Sequence, residues 1–182
     1  MSPLAFLQPR TKSVPTPTLR ELFDNHAAFV VRVLRRMGVL EADLDDVLQE
    51  VFVVVHRKIE QFDGRCKVET WLFGIAFRVA ADHRRARGRR RETAVDELPE
   101  VPTPHGPEHL AQSAELQRWL MQALDKLDDE KRAVFVLYEL EGMSMNDVAD
   151  AVSVPLQTAY SRLHSARDTV RKTIERAYGG AP

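Results

Sequence analysis

From Phe62 to Arg91 the chain reads FDGRCKVETWLFGIAFRVAADHRRARGRRR, and no other stretch restricts the fold as much. Asp63-Gly64 is a turn signal. Trp71, Leu72, Ile75, Ala76 and Val79 then recur at helical spacing. Arg84, Arg85, Arg87, Arg89, Arg90 and Arg91 close the stretch. A polar loop, an aromatic-bearing helix and an arginine run are therefore covalently continuous. Arginines displace counterions from phosphate, and aromatic faces with a loop hold unstacked bases. A core helix followed by a solvated charge run fits the same residues equally well, so the rest of the chain must decide.

Met1 to Pro17 carries four prolines and little periodicity, which reads as a flexible arm. Thr18-Leu-Arg-Glu21 is a capping-box pattern. It opens a helix with Leu22, Phe29, Val30, Val33 and Leu34 inward, ending near Gly38. From Asp43 to Phe62 a second helix places Leu44, Val47, Leu48, Val51, Val55 and Ile59 on one stripe. Val53 and Val54 widen that apolar surface. Asp45, Asp46, Gln49 and Glu50 form a polar patch on the other side, with Phe52 pointing toward it. An exposed aromatic beside carboxylates suggests a partner surface; the plainer alternative is a broad core helix with solvated acids.

Between Glu92 and Pro107 lie Pro99, Pro102, Pro104 and Pro107, with four acids and no periodic apolar pattern, the composition of an interdomain linker. Pro107 suits a first helical position, and Leu110, Leu116, Trp119, Leu120, Ala123, Leu124 and Leu127 form the buried set that follows. Asp128 starts another helix, with Val134, Val136, Leu137 and Leu140 inward, ending at Gly142. Ser144 to Asp147 is a second capping box. Its helix is short, with Val148, Ala149, Ala151 and Val152, and breaks at Ser153-Val154-Pro155. A long helix then buries Ala159, Leu163, Ala166, Val170 and Ile174.

Short helix, tight turn and longer helix, with small Ala149 at the crossing, is helix-turn-helix spacing. Gln157, Thr158, Tyr160, Ser161, Arg162, His164 and Ser165 fall on the early, outward turns of the second helix, where such side chains bond base edges and phosphates. Arg167, Arg171, Lys172 and Arg176 continue toward its end. A helical hairpin inside a core is the bland alternative, and the polar start with a basic continuation argues against it.

The expected fold is all-α: two small helical domains joined by a flexible acidic linker, the C-terminal one containing the helix-turn-helix. The boundaries are an arm over 1–17, domains over 18–91 and 107–178, a linker over 92–106 and a tail over 179–182. The net charge of -1 conceals a division. Leu19 to Arg91 holds 15 basic and 11 acidic residues, whereas Glu92 to Gln112 holds five acids and no base. A nucleic-acid binder needs its cations on one face, not a basic total.

Several function classes drop out. No apolar run is long enough to span a bilayer, and the N-terminus lacks the pattern of a secretory signal, so a cytoplasmic location is expected. The one cysteine, Cys66, allows no intrachain disulfide and no cysteine zinc site. Its simplest reading is an incidental loop thiol. The histidines show no metal spacing, and no phosphate-cradling glycine loop or nucleophile elbow is present. Neither an enzyme nor a cofactor or metal site is expected.

Four pieces, in order, resemble the RNA polymerase sigma factors of the extracytoplasmic-function group. Asp43 to Phe52 resembles the polymerase-docking helix. Phe62-Asp63-Gly64, with Thr70-Trp71-Leu72 and Ile75-Ala76, resembles the promoter-melting helix and its loop. Leu127 to Gly142 resembles the start of the C-terminal domain, and Asp147 to Arg167 the helix-turn-helix. The likeness spans about Thr18 to Arg176. It implies that Asp46, Gln49, Glu50 and Phe52 dock on core RNA polymerase. It implies that Gly64, Arg65, Cys66, Lys67 and Val68 hold a base flipped from the non-template strand at the minus-ten element, while Trp71, Arg78, Arg84 and Arg85 grip the strand and its duplex. Extruding a base costs a few kcal/mol, which a pocket and stacking must offset. Gln157, Thr158, Tyr160, Ser161, Arg162, His164, Ser165 and Arg167 would meet the minus-thirty-five element in the major groove. The resemblance further implies that the acidic linker runs through the polymerase, and that an anti-sigma factor is a partner, without membrane insertion.

Three positions depart from the family pattern. Arg78 stands where asparagine is common. Ser153 replaces the usual turn glycine, so the turn is expected to manage without a residue free to adopt positive φ. Tyr160 and Ser165 replace basic residues. The alternatives are a stand-alone helix-turn-helix regulator of duplex DNA, for which the docking and melting helices have no use, and a helical adaptor with no DNA role.

Overall fold

The structure, a computed structural model, describes residues 17–93 and 108–178, with side chains over 17–89 and 115–176. The expected arm, most of the linker, the tail, the helix start at Pro107, and the side chains of Leu110, Arg90 and Arg91 lie outside the described residues. Those described form seven α-helices and no strand.

Helix α1, Leu19–Arg36, begins with the capping box read from sequence. Thr18 Oγ1 accepts from the Glu21 N–H at 3.2 Å, and the Glu21 carboxylate accepts from the Thr18 N–H at 2.8 Å. Those bonds, the backbone one first, hold the Glu21 carboxyl below its usual range. Leu22, Val30, Val33 and Leu34 are buried and Phe29 is half-buried. Gly38 takes φ +86° just beyond the helix, a conformation that other residues resist.

Helix α2, Leu44–Lys58, follows a 3₁₀ turn and buries Leu44, Val47, Val51 and Val55. Leu48 and Ile59 are only half-buried. One expectation fails here: Phe52 is not an exposed aromatic but is 7% exposed. Phe23 of α1 reaches over it, edge to face, with ring centroids 4.9 Å apart. The exposed apolar groups of this face are Phe23 itself and Val53.

Helix α3, Val68–Thr93, runs on through the arginines and takes in the first two residues of the expected linker. Its middle is buried on more than one side: Leu72, Phe73, Gly74, Ile75, Ala76, Ala80 and Ala81 are all inside, while Trp71 and Val79 are half-buried. Helices α1 and α2 cover one side of it. The other side meets the C-terminal helices, which is why Phe73 and Gly74 fall outside a single-stripe reading.

The C-terminal helices are α4, Glu108–Asp125; α5, Asp129–Phe135, continued by a π-helical turn over Val136–Leu140; α6, Met145–Val152; and α7, Leu156–Tyr178. Ala123, Leu124, Leu127, Val134, Val136 and Leu137 are buried as read, with Trp119, Leu120 and Leu140 half-buried. Leu116 is a second correction, being 55% exposed. Glu115 to Arg118 are all exposed, and among the described side chains of α4 the first that is partly buried is Trp119. Asp128 caps α5 by accepting from the Lys131 N–H at 2.8 Å. Helix α7 buries Ala159, Leu163, Ala166 and Val170.

The buried apolar residues of both halves join into one continuous core. Helix α3 packs on α6, and a Cβ added at Gly74 would come within 3.2 Å of the Ala151 carbonyl oxygen. At that crossing a side chain would crowd the neighbouring backbone, so the constraint on Gly74 is closeness rather than φ.

Candidate nucleic-acid interface

Three surfaces carry the residues singled out from sequence. The first is the loop before α3 and the helix it opens. Gly64 takes φ +69°. Asp63 Oδ1 accepts from the Arg65 N–H at 3.1 Å, and Asp63 Oδ2 lies 3.0 Å from Arg65 Nε, so the loop is turned by its own aspartate. Cys66 and Val68 are half-buried. Burial first, then the neighbouring Asp63 and Asp150, pushes the Cys66 thiol up, the opposite of an activated thiolate. Trp71 leans on Phe62 with centroids 5.2 Å apart.

Lys67, Trp71, Gly74 and Arg78 follow one another at spacings of four, three and four, which sets them along one side of the helix. That side faces the C-terminal helices. Lys67 Nζ lies 3.1 Å from Asp147 Oδ2, and Arg78 Nη2 donates to Ser153 Oγ at 3.4 Å. Further along, Arg84 Nη1 bonds Asp129 Oδ1 at 2.6 Å and the Met37 carbonyl at 3.3 Å. Arg85 pairs with Asp82 at 2.6 Å. Lys67, expected in the base-holding loop, and Arg78, Arg84 and Arg85, expected to grip the strand and its duplex, all hold protein acceptors here.

The second surface lies on α2. Asp46, Gln49 and Glu50 are exposed together, and Val53 lies between two shallow hollows. One hollow is lined by Leu19, Phe23, Leu48 and Phe52 and is almost wholly apolar; the other is bordered by Asp46, Glu50, Arg57 and Asp82. Apolar floor and acidic rim adjoin, an arrangement suited to docking a partner helix. Phe23 and Val53 were not among the residues expected here. The doublet Val53-Val54 offered the only sequence signal, since Phe23 reads as an ordinary helical residue.

The third surface is the helix-turn-helix. Ser144 caps α6 by accepting from the Asp147 N–H at 3.2 Å. Asp147 turns its carboxylate to the Ser144 hydroxyl at 2.8 Å and to Lys67. These two contacts, the serine first, hold the Asp147 carboxyl below its usual range. The turn corrects the expectation about Ser153: it does adopt positive φ, at 56° with ψ 49°. The Val154 N–H returns to the Ala149 carbonyl at 3.0 Å, and that closure requires a left-handed residue whatever its side chain.

On α7, Gln157, Tyr160, Ser161 and His164 are exposed, while Thr158 and Ser165 are half-buried. The two expected arginines turn back toward their own protein. Arg162 pairs with Glu130, and Arg167 Nε bonds Glu139 Oε1 at 2.6 Å with its guanidinium 5.6 Å from the Tyr138 ring centroid. The outward face is therefore amide, hydroxyl, phenol and imidazole. Such groups read base edges. Leu156, exposed at the leading turn, joins them without having been marked in sequence.

Among the described residues no cluster of histidine, cysteine and carboxylate is arranged to hold a metal ion, and no helix is long and apolar enough to cross a membrane.

Comparison with known proteins gives a consistent result. The family model for Sigma-70 region 2 matches residues 22–90, and that for Sigma-70, region 4 matches residues 117–170. The ECF RNA polymerase sigma-E factor of Haemophilus influenzae is 33% identical over 145 residues, covering 73% of this chain and 75% of that protein. The ECF RNA polymerase sigma factor SigE of Mycolicibacterium smegmatis is 33% identical over 157 residues, covering 85% of this chain and 61% of the relative. Among solved structures, the sigma factor RpoE of Bartonella quintana, crystallised with the anti-sigma factor NepR, aligns with TM-score 0.69 at 19% identity over 86% of this chain and 96% of that one. CnrH, solved with the cytosolic domain of CnrY, aligns with TM-score 0.64 at 24% identity, over 87% of this chain and 88% of that one. Both share the fold.

Proposed function

Since the chain belongs to the extracytoplasmic-function sigma factors, a family of transcription initiation factors, we propose that it directs core RNA polymerase to promoters by reading two DNA elements with two separate domains. The domain over 18–91 docks on polymerase through Asp46, Gln49, Glu50 and the exposed Phe23 and Val53, with Phe52 flooring the apolar hollow between them, and captures the melted minus-ten strand with the 64–68 loop, Trp71 and Arg78. Arg84 and Arg85 grip the adjoining duplex. The domain over 107–178 sets Gln157, Tyr160, Ser161 and His164 into the major groove at the minus-thirty-five element, with Thr158 and Ser165 beside them and Arg162 and Arg167 within reach of phosphate. The 92–106 segment connects the two domains across the polymerase. The protein works in the cytoplasm, without catalysis of its own, and an anti-sigma factor is its regulator, as NepR is named a partner of the structural relative.

One observation carries this reading: the chain pairs a helix-turn-helix whose leading face is exposed with a second surface, acidic and apolar, on α2. A stand-alone regulator of duplex DNA has no use for the second. The test mixes the purified chain with bacterial core polymerase and a pool of promoter fragments and maps transcript starts. Core-dependent starts at a shared pair of elements support the proposal. Duplex binding without any redirection of polymerase would instead favour the regulator.

A further inference from the structure

Over residues 156–165 of α7 the exposed side chains are Leu156, Gln157, Tyr160, Ser161 and His164. At 3.6 residues per turn they fill one continuous arc. Leu156 and Tyr160 form one edge of it, His164 and Gln157 the middle, and Ser161 the far edge. Leu156 is 42% exposed and Tyr160 49%, and four residues apart they stand one above the other. Of the large apolar side chains exposed on the described C-terminal helices, only Leu116 lies elsewhere. The arc itself carries no guanidinium and no ammonium. Arg162, the one cation in this segment, is turned to Glu130 of α5. Arg167, a turn further on, bonds Glu139 and lies over Tyr138.

The chemistry of such an arc selects among bases. In the major groove the commonest specific contact is Arg or Lys to guanine O6 and N7, and this arc supplies neither side chain. A glutamine amide is complementary to adenine, its carbonyl accepting from N6 and its NH2 donating to N7. Apolar side chains meet the C5-methyl of thymine. We propose that the upstream element read by this chain is built on neighbouring A·T pairs, with Gln157 on an adenine edge and Leu156 and Tyr160 on thymine methyls. Along the helix Leu156 and Tyr160 are about 6 Å apart, and base pairs follow one another at about 3.4 Å. The two side chains therefore reach methyls one or two steps apart. Leu156 becomes a specificity residue. The inference rests on the proposed function for the entry of α7 into the major groove, and goes beyond it in naming the bases.

The test assembles the full chain with bacterial core polymerase and selects bound fragments from a pool of duplexes randomised across both promoter elements. The upstream consensus should contain neighbouring A·T pairs. In a selected fragment each upstream thymine is then replaced by deoxyuridine, which removes the methyl and leaves every hydrogen-bonding group. Wild type should lose about fourfold in binding for each contacted methyl, the worth of one buried methyl group. Leu156→Ala should bind thymine and uracil equally at one position, and Tyr160→Ala at another. Gln157→Glu should exchange the selected adenine for cytosine, whose N4 donates to a carboxylate. The uracil comparison needs no variant, so it decides even where a substitution weakens the fold. A guanine-based consensus overturns the inference. Equal binding of thymine and uracil by wild type also overturns it, as does an unchanged consensus for Gln157→Glu. If the polymerase acquires no upstream element at all, the functional reading falls and the inference with it. A strong element indifferent to the methyls strikes the assignment of bases alone.

Discussion

The rings of Phe23 and Phe52 meet edge to face, with centroids 4.9 Å apart and planes inclined by 63°. Phe52 is the buried member and Phe23 is 46% exposed. The pair therefore divides two jobs between neighbouring aromatics. Phe52→Ala should cost about 3 kcal/mol of stability, the usual cost of deleting a buried ring. Phe23→Ala should leave the melting temperature nearly unchanged and weaken polymerase binding by about tenfold, as an interface anchor does. Thermal melts and polymerase pull-down titrations separate the two; equal loss of stability in both would deny Phe23 a docking role.

Ser153 holds a left-handed conformation that non-glycine residues resist by about 1–2 kcal/mol. Ser153→Gly should thus stabilise the protein by about 1 kcal/mol, or roughly 3 °C in melting temperature. The same change removes the hydroxyl that Arg78 reaches at 3.4 Å. The variant should be more heat-stable, since that long, exposed bond contributes little. A lower melting temperature would show that the serine hydroxyl matters more than the backbone.

How far sequence could see is clear at particular residues. The box at Thr18, the stripes of α2 and α7 and the break at Ser153 were legible because caps and helical periods are local. Phe52 was misplaced because α1 covers it, and the covering residue lies far away in sequence. Phe73 and Gly74 escaped notice because α3 is buried on two sides, which blurs a single stripe. Arg132 gave no signal at all: a lone arginine in a helix reads as solvated, and only the end of α1 makes it a core residue. Of the candidate surfaces, helical spacing was enough to foresee that Gln157, Tyr160, Ser161 and His164 are exposed on α7. Which cations turn back on the protein's own acids is decided by tertiary contact.

Asp147 offers a titration with a defined sign. Its carboxyl is held below the ordinary value by the Ser144 hydroxyl first and Lys67 second. A depressed folded-state pKa contributes stability that is present above the unfolded value, about 4, and lost as pH falls through the lower folded one. The Lys67–Asp147 contact should therefore be constant between about pH 5 and 8 and weaken only below about pH 4. Carboxyl shifts followed by nuclear magnetic resonance should show Asp147 returning toward the ordinary value in Ser144→Ala. A midpoint unmoved by that substitution would mean that the serine bond does not form in solution.

Tyr160 and Arg162 lie two positions apart on α7 and should fail in different ways. Tyr160 is 49% exposed, on the leading face. Tyr160→Ala should leave stability intact and weaken use of the cognate upstream element, and unchanged promoter preference would remove Tyr160 from the reading face. Arg162 is paired with Glu130, and its side chain is 21% exposed. Arg162→Ala should cost up to about 1 kcal/mol of stability, the upper range for such a pair. If Arg162 also leaves Glu130 to meet phosphate, freeing it in advance should help. Glu130→Ala should then tighten binding of duplex promoter DNA and steepen its salt dependence, because one more cation is ready to displace a counterion. If Glu130→Ala changes stability alone, with the salt slope of DNA binding unmoved, Arg162 is a fastener of the C-terminal helices and base reading falls to Gln157, Tyr160, Ser161 and His164.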